Sequence, residues 1–317
     1  MLDSRILITG AQGLVGTSLI EELNRQGYAN LIPLTREQCD LTNYEEVKLF
    51  FQNAKPEVVF HTAAAVYGIG GNAKKKGSIF LDNTLLNTHV IEASRLSGVR
   101  KIIAMGTIAA YPEPTEFPVK ESSIWSGPPH QSEDSYAHAK RAMLAQLLAY
   151  QENYSLDFAY VISTNLFGPN DKFDSKFGHV VPSLVRKFYE AKKSHEQVTI
   201  WGDGSAERDF LYSKDMARAL VLIMKRYTGS INVASGRRVS IKEIVDLLAA
   251  HFEMQDKVVW NAAMPNGRAF YEIDLTYLKN LGYMPIYSME KGLSETLDWF
   301  TSMYEKNAIR GYSNGKC

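Results

Sequence analysis

Apolar and polar positions alternate along the first half of the chain with two different periods. Short apolar runs predict buried strands at 5–9, 31–35, 58–61, 101–105 and 158–162. Between these runs, apolar residues recur at helical spacing and predict helices at 14–25, 44–52, 79–96 and 136–153. Strands that alternate with helices are typical of a parallel sheet covered on both faces. We therefore expect an α/β fold with a doubly wound parallel sheet.

The pattern becomes looser in the second half of the chain. Helices are predicted near 181–191, 215–225 and 241–252, separated by short strands and loops. Prolines cluster between residues 111 and 129, which predicts a substantial loop over the strand ends. We expect a sheet domain over residues 1–165, to which segments near 210–236 return. Residues 166–317 then form mainly a smaller, interleaved α/β lobe.

Composition restricts the classes of function. The chain has 317 residues, of which 45% are hydrophobic and 22% are charged, as is usual for a globular enzyme. Its 35 basic residues equal its 35 acidic ones, so no overall charge attracts nucleic acid or a membrane surface. Two cysteines and the lack of a signal peptide or long apolar segment favour a cytoplasmic protein without a disulfide framework.

A glycine-rich turn follows the first predicted strand. Its sequence is Gly10-Ala11-Gln12-Gly13-Leu14-Val15-Gly16, and a predicted helix begins inside it. In this context glycines make a tight turn, let the backbone approach a pyrophosphate and allow close packing of helix on strand. The helix N-terminus supplies free N–H groups and a partial positive charge. The turn therefore predicts a dinucleotide site in a Rossmann-type sheet.

Residues after the second and third strands favour NADP(H) over NAD. Proteins that bind NAD usually carry an acidic residue after the second strand, where this chain has Arg36. An arginine can hold a 2′-phosphate through charge-assisted hydrogen bonds. Asp40 and Leu41 are predicted beside the adenine, and the small residues Ala63, Ala64 and Ala65 would let the cofactor approach the third strand end.

Tyr136 and Lys140 are four residues apart and share one face of a predicted helix. A tyrosine with its ordinary pKa near 10 is a poor acid-base catalyst at neutral pH. We expect the lysine ammonium to lower that pKa and to bind the nicotinamide ribose. Thr107, just after the fourth strand, would bind the substrate oxygen beside the tyrosine. The set predicts an enzyme acting on a carbonyl or a secondary alcohol.

With these motifs the chain resembles the extended short-chain dehydrogenase/reductase family, and within it the GDP-L-fucose synthases. The resemblance runs nearly end to end. Besides the motifs above, the matching segments are Tyr111-Pro112, Thr164-Asn165-Leu166-Phe167-Gly168-Pro169, His179-Val180-Val181-Pro182, Trp201-Gly202, Arg208-Asp209-Phe210 and Ile231-Asn232-Val233-Ala234-Ser235-Gly236.

The resemblance implies roles for further residues. It implies that the catalytic residues are Thr107, Tyr136, Lys140 and His179. It also implies cofactor contacts from Met105, Gly106, Ser163, Thr164, Asn165, Leu166 and His179, and no metal ion. Enzymes of this group bind a nucleotide-diphosphate sugar, commonly linked to GDP, across the cleft between the lobes. The implied sugar-nucleotide contacts are Asn165, Lys187, Trp201, Arg208 and Arg268.

One position departs from the family pattern. GDP-L-fucose synthases epimerise two carbons beside a 4-keto group before they reduce the ketone, and they use a cysteine and a histidine for the proton transfers. The histidine position holds His179, but the cysteine position holds Ala109. Alanine cannot give or take a proton. We therefore expect a reductase of a nucleotide-linked 4-keto-6-deoxy-sugar, hexose or heptose, with its C3/C5 epimerase activity doubtful.

Other functions remain open at this stage. The bifunctional epimerase/reductase is one, and an NAD-dependent nucleotide-sugar 4-epimerase, disfavoured by Arg36, is another. A 4,6-dehydratase would need an acidic pair where Ile108 and Ala109 stand. A non-enzymatic dinucleotide-binding protein would commonly lack the tyrosine or the lysine. The resemblance also implies a homodimer formed by the helices around 83–96 and 136–150, in which Ala139, Ala142, Ala145 and Leu148 allow close packing.

Overall fold

Twelve strands build one large sheet and three small ones. The computed structural model describes residues 2–66, 75–113, 115–174, 178–264 and 272–309. Its strands are β1 Ile6–Thr9, β2 Leu31–Leu34, β3 Val58–His61, β4 Lys101–Met105, β5 Asp157–Ser163, β6 Asn165–Phe167, β7 Val198–Trp201, β8 Glu207–Arg208, β9 Phe210–Tyr212, β10 Gly229–Val233, β11 Val239–Ser240 and β12 Val258–Asn261. Six of them form a parallel sheet in the order β10-β5-β4-β3-β1-β2.

Helices cover both faces of the parallel sheet. They are α1 Leu14–Arg25, α2 Tyr44–Ala54, α3 Lys76–Leu96, α4 Asp134–Tyr154, α5 Val180–Ser194, α6 Ser213–Arg226, α7 Ile241–Phe252, α8 Thr276–Asn280 and α9 Met289–Glu305. Buried residues of α1 and α6 pack on one face, and those of α2, α3 and α4 pack on the other. A third core joins α5, α7 and α9 beside the short strands. The predicted fold class is confirmed.

The sequence of β1 shows why both faces are covered. Ile6 and Ile8 point into the core beneath α1 and α6, whereas Leu7 between them points into the core beneath α2 to α4. All three side chains are fully buried. A strand that is apolar at every position has no face to present to water, so its sheet must be sandwiched between helix layers.

The second half of the chain leaves the large sheet and then returns to it. Strand β6 pairs with β9, β7 with β12, and β8 with β11, so each small sheet joins segments far apart in sequence. Strand β10 then lies beside β5, where Ile231 is opposite Val161. Helix α6, which precedes β10, packs beside α1 on the large sheet. The segments that form the small sheets are therefore connected to the large sheet through β5 and β10.

The proline-rich segment after β4 is tied down at both ends. Pro112 forms a bridge with Pro129, and Val119 forms a bridge with Ile273. The N–H of Val119 donates to the carbonyl of Glu272 at 2.8 Å. These bonds hold the segment across the ends of the sheet strands, as its proline content predicts. Within the described parts of the chain, no helix has the length and apolarity to span a bilayer.

Candidate active site

The candidate site lies at the carboxyl ends of the parallel strands. Strands β1 and β3 are neighbours, and the chain runs outward from them in opposite directions, to β2 on one side and to β4 and β5 on the other. A crevice forms where the order of strands reverses in this way, and ligands of such sheets bind there. The glycine turn follows β1, and Gly106-Thr107 follows β4. The topology therefore places both sequence motifs at one edge of the sheet.

The glycine turn is shaped for close backbone contact. Gly10 has a φ of +68°, and a Cβ there would lie 2.9 Å from backbone atoms of Ala63. A Cβ on Gly16 would overlap the carbonyl oxygen of Gly10. Helix α1 begins at Leu14, its cap residue Gly13 offers no side chain, and its first turn contains no acid. Its N-terminal N–H groups and partial positive charge thus favour a pyrophosphate.

Past the end of β2, Arg36 extends into solvent. Its side chain is 84% exposed and lies 3.7 Å from the carboxylate of Asp40. Asp40 accepts bonds from the N–H and the hydroxyl of Thr42, which hold the pKa of its carboxyl below the usual value. Leu41 packs against the sheet core. Asp40 therefore shapes the turn and keeps the arginine nearby, while the guanidinium stays available to an anion.

A cavity of about 390 Å³ lies next to this end of the site. Gln12 and Thr35 line one side of it, and Trp299 and Met303 of helix α9 line another. No role in the site was predicted for α9, because its apolar positions are typical of any helix that packs on a core. The cavity places the last described helix beside the glycine turn.

Thr107, Tyr136 and Lys140 are brought to the end of β4. Thr107 has an extended backbone and caps a short helical turn, Ile108–Ala110, by accepting the N–H of Ala109. Lys140 is 1% exposed, and its Nζ donates to the carbonyl of Met105 at 2.8 Å. The same Nζ lies 5.7 Å from the centre of the Tyr136 ring. The tyrosine and lysine therefore share one helix face, one turn apart, as predicted.

The protonation of this pair differs from the sequence-based expectation. Burial raises the pKa of Tyr136, and the nearby Glu133 carboxylate adds to the rise. Burial also lowers the pKa of Lys140 to about 7. The expected lowering of the tyrosine pKa is therefore wrong for this structure, because the lysine bonds a carbonyl and itself loses charge on burial. A protonated phenol is the form that can donate a proton to an alkoxide.

A buried network behind the lysine was not predicted. His61, at the end of β3, is fully buried and lies 2.9 Å from Thr9 Oγ1 through Nδ1 and 2.9 Å from Asn87 Oδ1 through Nε2. Because the Asn87 oxygen can only accept, Nε2 carries the proton and Nδ1 accepts from the threonine. Thr9 Oγ1 in turn accepts the N–H of Ala63. The network joins the ends of β1 and β3 to helix α3.

The predicted alanines after β3 lie beside this network. Ala63 faces Gly10, and Ala64 is exposed to solvent. The N–H and the carbonyl of Ala65 both bond the buried amide of Asn83. The segment is thus held rigidly by its backbone, with methyl groups alone on the cofactor side.

The residues after β5 are used largely by the protein itself. Ser163 donates its hydroxyl to the carbonyl of Gly106, and the ring of Tyr160 occupies the space where a side chain at Gly106 would lie. The hydroxyl of Thr164 and the amide of Asn165 both donate to the carbonyl of Asp209. Leu166 packs against the sheet core. Asn165, which is only partly buried, still borders the cleft.

His179 stands at the start of helix α5, half exposed. Its Nδ1 lies 3.9 Å from Oδ1 of the buried Asp171. Oδ2 of Asp171 is buried and has no hydrogen-bond partner among the described residues. Burial opposes protonation of the imidazole, but the bond and charge of Asp171, with the charge of Glu133, raise the pKa of His179 overall. Since Glu133 also raises the pKa of Tyr136, His179 shares the electrostatic environment of the tyrosine.

Three of the predicted sugar-nucleotide residues lie in the second lobe. The Trp201 side chain is 61% exposed, and Lys187 Nζ lies 5.9 Å from its ring centre. Burial lowers the pKa of Lys187. Arg208 donates from Nη1 to the carbonyl of Glu207, its own neighbour in β8. Lys187 and Trp201 are therefore brought together, whereas Arg208 is held by another small sheet. Arg268 lies outside the described residues.

Ala109 is the residue that the resemblance aligns with the family cysteine. It lies in the helical turn directly after Thr107 and is 7% exposed. Its methyl group offers no proton, so it cannot take part in a proton transfer. In the described parts of the chain, no group of three or more potential metal ligands is arranged to hold a metal ion.

Comparison with known proteins shows which family has a sequence and fold of this kind. The family model described as "NAD dependent epimerase/dehydratase family" matches residues 6–234. The chain belongs to this family. The putative GDP-L-fucose synthase 2 of Arabidopsis thaliana is 35% identical over 301 residues, which cover 94% of this chain and 92% of the relative. The resemblance to the GDP-L-fucose synthases that was predicted from the motifs is thereby confirmed.

Two solved structures of this family share the fold at similar length. A GDP-6-OMe-4-keto-L-xylo-heptose reductase from C. jejuni has a TM-score of 0.88 and 27% identity, and the match covers 96% of this chain and 99% of that one. A GDP-mannoheptose C4 reductase from Campylobacter jejuni with NADP bound has a TM-score of 0.85 and 28% identity, and covers 95% and 99%. Both of these structures are named as reductases of GDP-linked heptoses.

Proposed function

We propose that the protein reduces the C4 ketone of a GDP-linked 4-keto-6-deoxy-sugar with NADPH. The observation that carries the proposal is a complete Thr107, Tyr136 and Lys140 set beside an alanine where the epimerising cysteine of the family would stand. The relatives named for GDP-sugar reduction, one of them with NADP bound, support an oxidoreductase and its NADP(H) cofactor.

The residues present suit a nicotinamide dinucleotide. Side chains at Gly10 and Gly16 would fill the space that the turn leaves open, and the uncapped start of α1 favours a pyrophosphate. Arg36 extends from the turn after β2, where a 2′-phosphate distinguishes NADP from NAD. When bound, NADPH supplies a hydride to the carbonyl carbon. Its nicotinamide ribose would bond Lys140 in place of, or beside, the carbonyl of Met105.

The chain supplies the proton and the oxygen-binding groups. The Thr107 hydroxyl would donate to the substrate carbonyl oxygen. Tyr136, protonated because burial raises its pKa, then gives its proton to that oxygen as negative charge develops. Lys140, whose pKa burial brings to about 7, would stabilise the resulting phenolate in its protonated form. This is general-acid catalysis in the reductive direction.

The second lobe would hold the sugar nucleotide. Trp201 offers an exposed aromatic face, with the cation of Lys187 beside it, and Asn165 borders the cleft from β6. Arg208 would contribute a guanidinium to the diphosphate. We keep residues 1–165, with the returning strand β10, as the dinucleotide domain and the remainder as the sugar-nucleotide lobe. Arg268 remains a predicted contact.

His179 is the residue that supports the alternative function, a bifunctional epimerase/reductase. It is retained in the family position and is held near Asp171, whose charge raises the pKa of the imidazole. A single proton carrier can exchange a proton on one face of a carbon, but inversion needs a second group on the other face. Ala109 cannot be that group, so we propose a reductase that does not epimerise.

An isotope experiment tests this function. The protein is given GDP-4-keto-6-deoxy-mannose in heavy water, with and without NADPH, and the product is analysed by mass spectrometry and NMR. We expect NADPH to be consumed without deuterium at C3 or C5. The Ala109→Cys variant is the matched control, since it restores the second proton carrier and should introduce deuterium. Deuterium at C3 or C5 together with inverted configuration at that carbon in the product of the unaltered protein would establish the bifunctional reaction instead.

We also propose that two copies associate through helices α3 and α4 and that the enzyme works in the cytoplasm. On that face Leu81, Ala142, Ala145 and Leu148 are exposed, whereas the predicted contact Ala139 is buried inside the protein. Cys39 is a buried free thiol, which is in keeping with a reducing compartment.

A further inference from the structure

Asp209 lies between strands β8 and β9, one residue after Arg208. It is 5% exposed, although it carries a charge and sits next to a cleft. A buried carboxylate is costly unless other groups donate to it. The groups that donate hydrogen bonds to Asp209 therefore indicate which segments of the chain this residue holds together.

The carboxylate of Asp209 binds the turn that follows β10. Oδ1 accepts the N–H of Ser235 at 2.9 Å, and Oδ2 accepts the N–H of Gly236 at 2.7 Å and that of Arg237 at 3.2 Å. The hydroxyl of Ser235 also donates to Oδ2. Gly236 has a φ of +74°, which lets successive N–H groups converge on one anion. Both carboxylate oxygens are thus used within the protein.

The backbone of Asp209 binds the end of β5. Its carbonyl accepts the Thr164 hydroxyl at 2.9 Å and the Asn165 side-chain amide at 3.1 Å. One residue therefore joins the ends of β5 and β10 to the β8–β9 segment. Among the predicted sugar-nucleotide contacts, Asn165 is bonded directly to Asp209. Arg208 is the neighbour of Asp209 in the chain.

We propose that Asp209 is a positioning residue for the sugar nucleotide: its carbonyl accepts the Asn165 amide, and its carboxylate, bonded to the turn after β10, fixes the backbone next to Arg208. This proposal rests on the proposed function, since it assigns a purpose to the same cleft. Asp209 does not itself contact substrate, because its carboxylate oxygens are occupied by Ser235, Gly236 and Arg237. The glycine turn after β1 makes no bond to Asp209 among the described hydrogen bonds, so we expect the variant to affect NADPH binding less than sugar-nucleotide binding.

The Asp209→Asn variant separates positioning from general stability. Its amide nitrogen cannot accept, so at least one of the N–H groups of Gly236 and Arg237 loses its partner. We expect the Kd for GDP-mannose, measured by calorimetry, to rise about tenfold, which corresponds to one lost charge-assisted bond. The Kd for NADPH, measured by fluorescence, should change by less than about twofold. Ser235→Ala removes one bond to the same carboxylate and should move the GDP-mannose Kd in the same direction by less.

Asp215→Asn is the matched control. Asp215 is also a buried carboxylate that binds a distant turn, accepting the N–H groups of Ile286 and Tyr287, but neither of these partners is a predicted sugar-nucleotide contact. The Asp215→Asn substitution should lower the melting temperature without changing the Kd for GDP-mannose or the Kd for NADPH. If Asp209→Asn lowers only the melting temperature, its role is structural and the proposal is overturned. If the unaltered protein binds NADPH but no GDP-sugar, the proposed function fails, and this proposal fails with it.

Discussion

At the scale of single residues, burial decides how Tyr136 and Lys140 can act. The tyrosine stays protonated because burial raises its pKa, and burial brings the pKa of the lysine to about 7. Removing the phenolic hydroxyl with Tyr136→Phe should therefore lower kcat by at least about a hundredfold while the Kd for NADPH stays unchanged. NADPH oxidation with a GDP-4-keto-sugar measures the first and fluorescence the second.

Tyr150→Phe is the control for that variant. It removes a hydroxyl from the same helix, where the hydroxyl bonds Glu92 and not the candidate site. Unchanged turnover in Tyr136→Phe would argue for a non-enzymatic dinucleotide-binding protein.

Arg36 is the residue that should select the cofactor. Its side chain is largely exposed, and its only described ion pair, with Asp40, spans 3.7 Å. Replacing it in Arg36→Ala should raise the Kd for NADPH about tenfold, because a phosphate loses a charged partner. The Kd for NADH should stay the same, since NADH has no 2′-phosphate. Equal changes for the two cofactors would mean that Arg36 does not contact that phosphate.

His61 should make stability depend on pH. Burial and the charge of Lys140 together lower its pKa from 6.5 to about 3. The unfolded chain therefore takes up a proton below pH 6.5 that the folded protein refuses, so the free energy of unfolding falls as pH falls from 6.5 towards 3. Between pH 7 and pH 5 the loss from this residue is about 2 kcal/mol.

Urea unfolding at the two pH values measures that loss. The His61→Gln variant keeps a neutral hydrogen-bonding side chain but cannot titrate. Between pH 7 and pH 5, its free energy of unfolding should fall by about 2 kcal/mol less than that of the unaltered protein. Parallel losses in the two proteins would show that His61 is not the residue that titrates.

At the scale of elements, the turn between β1 and α1 depends on glycine for space. A side chain at Gly16 would overlap the carbonyl of Gly10, so Gly16→Ala must push α1 away from β1. We expect it to lower the free energy of unfolding by about 1–3 kcal/mol and to weaken NADPH binding. Chemical denaturation and fluorescence titration measure the two effects.

Gly77→Ala is the matched change. Gly77 lies in helix α3, and a Cβ there would meet nothing within 4 Å. The substitution should raise stability by about 0.5–1 kcal/mol through helix propensity alone. If Gly16→Ala behaved like Gly77→Ala, the close approach of α1 to the turn would not be needed.

Elements with strong periodicity could be predicted from the sequence, and short ones could not. The predicted bounds of α1, β3, β4 and α7 agree with the structure to the residue. Other predicted helices start or end a few residues away, since polar ends such as Asp134-Ser135 carry no apolar signal. Strands β6, β8 and β11 have two or three residues, and each pairs with a distant segment, so no local pattern reveals them.

The candidate site shows the same division. The glycine turn and the tyrosine-lysine pair are local motifs, and the structure has the turn after β1 and the pair on one helix face, as predicted. The His61 and Asp209 networks join residues 26 to 52 positions apart in the chain and could not be paired before the strand order was known. The direction of the tyrosine pKa shift was wrong because burial depends on how the chain packs around the ring, which spacing does not report.

At the scale of the whole molecule, the predicted cofactor site and the predicted sugar-nucleotide site are built on different kinds of secondary structure. The predicted cofactor turn and catalytic residues rest on a six-stranded sheet with packed cores on both faces. Of the predicted sugar-nucleotide contacts, Asn165 and Arg208 lie in strands of three and two residues next to Asp209, which bonds the ends of β5 and β10. A rigid cofactor site with a separately anchored substrate lobe allows related enzymes to change sugars while the hydride-transfer chemistry stays the same.

The outer face of α3 and α4 should be where two copies meet. Leu81 is 55% exposed and Leu148 is 44% exposed, with the small residues Ala142 and Ala145 between them, so helices of a second copy could pack closely there. Leu148→Arg would place two charges near the axis of such a pair and should convert the dimer to a monomer, measured by sedimentation velocity. Leu49→Arg changes a leucine on α2 that is 59% exposed and should leave the dimer intact. A monomer before any substitution would show that this apolar face does not join two copies.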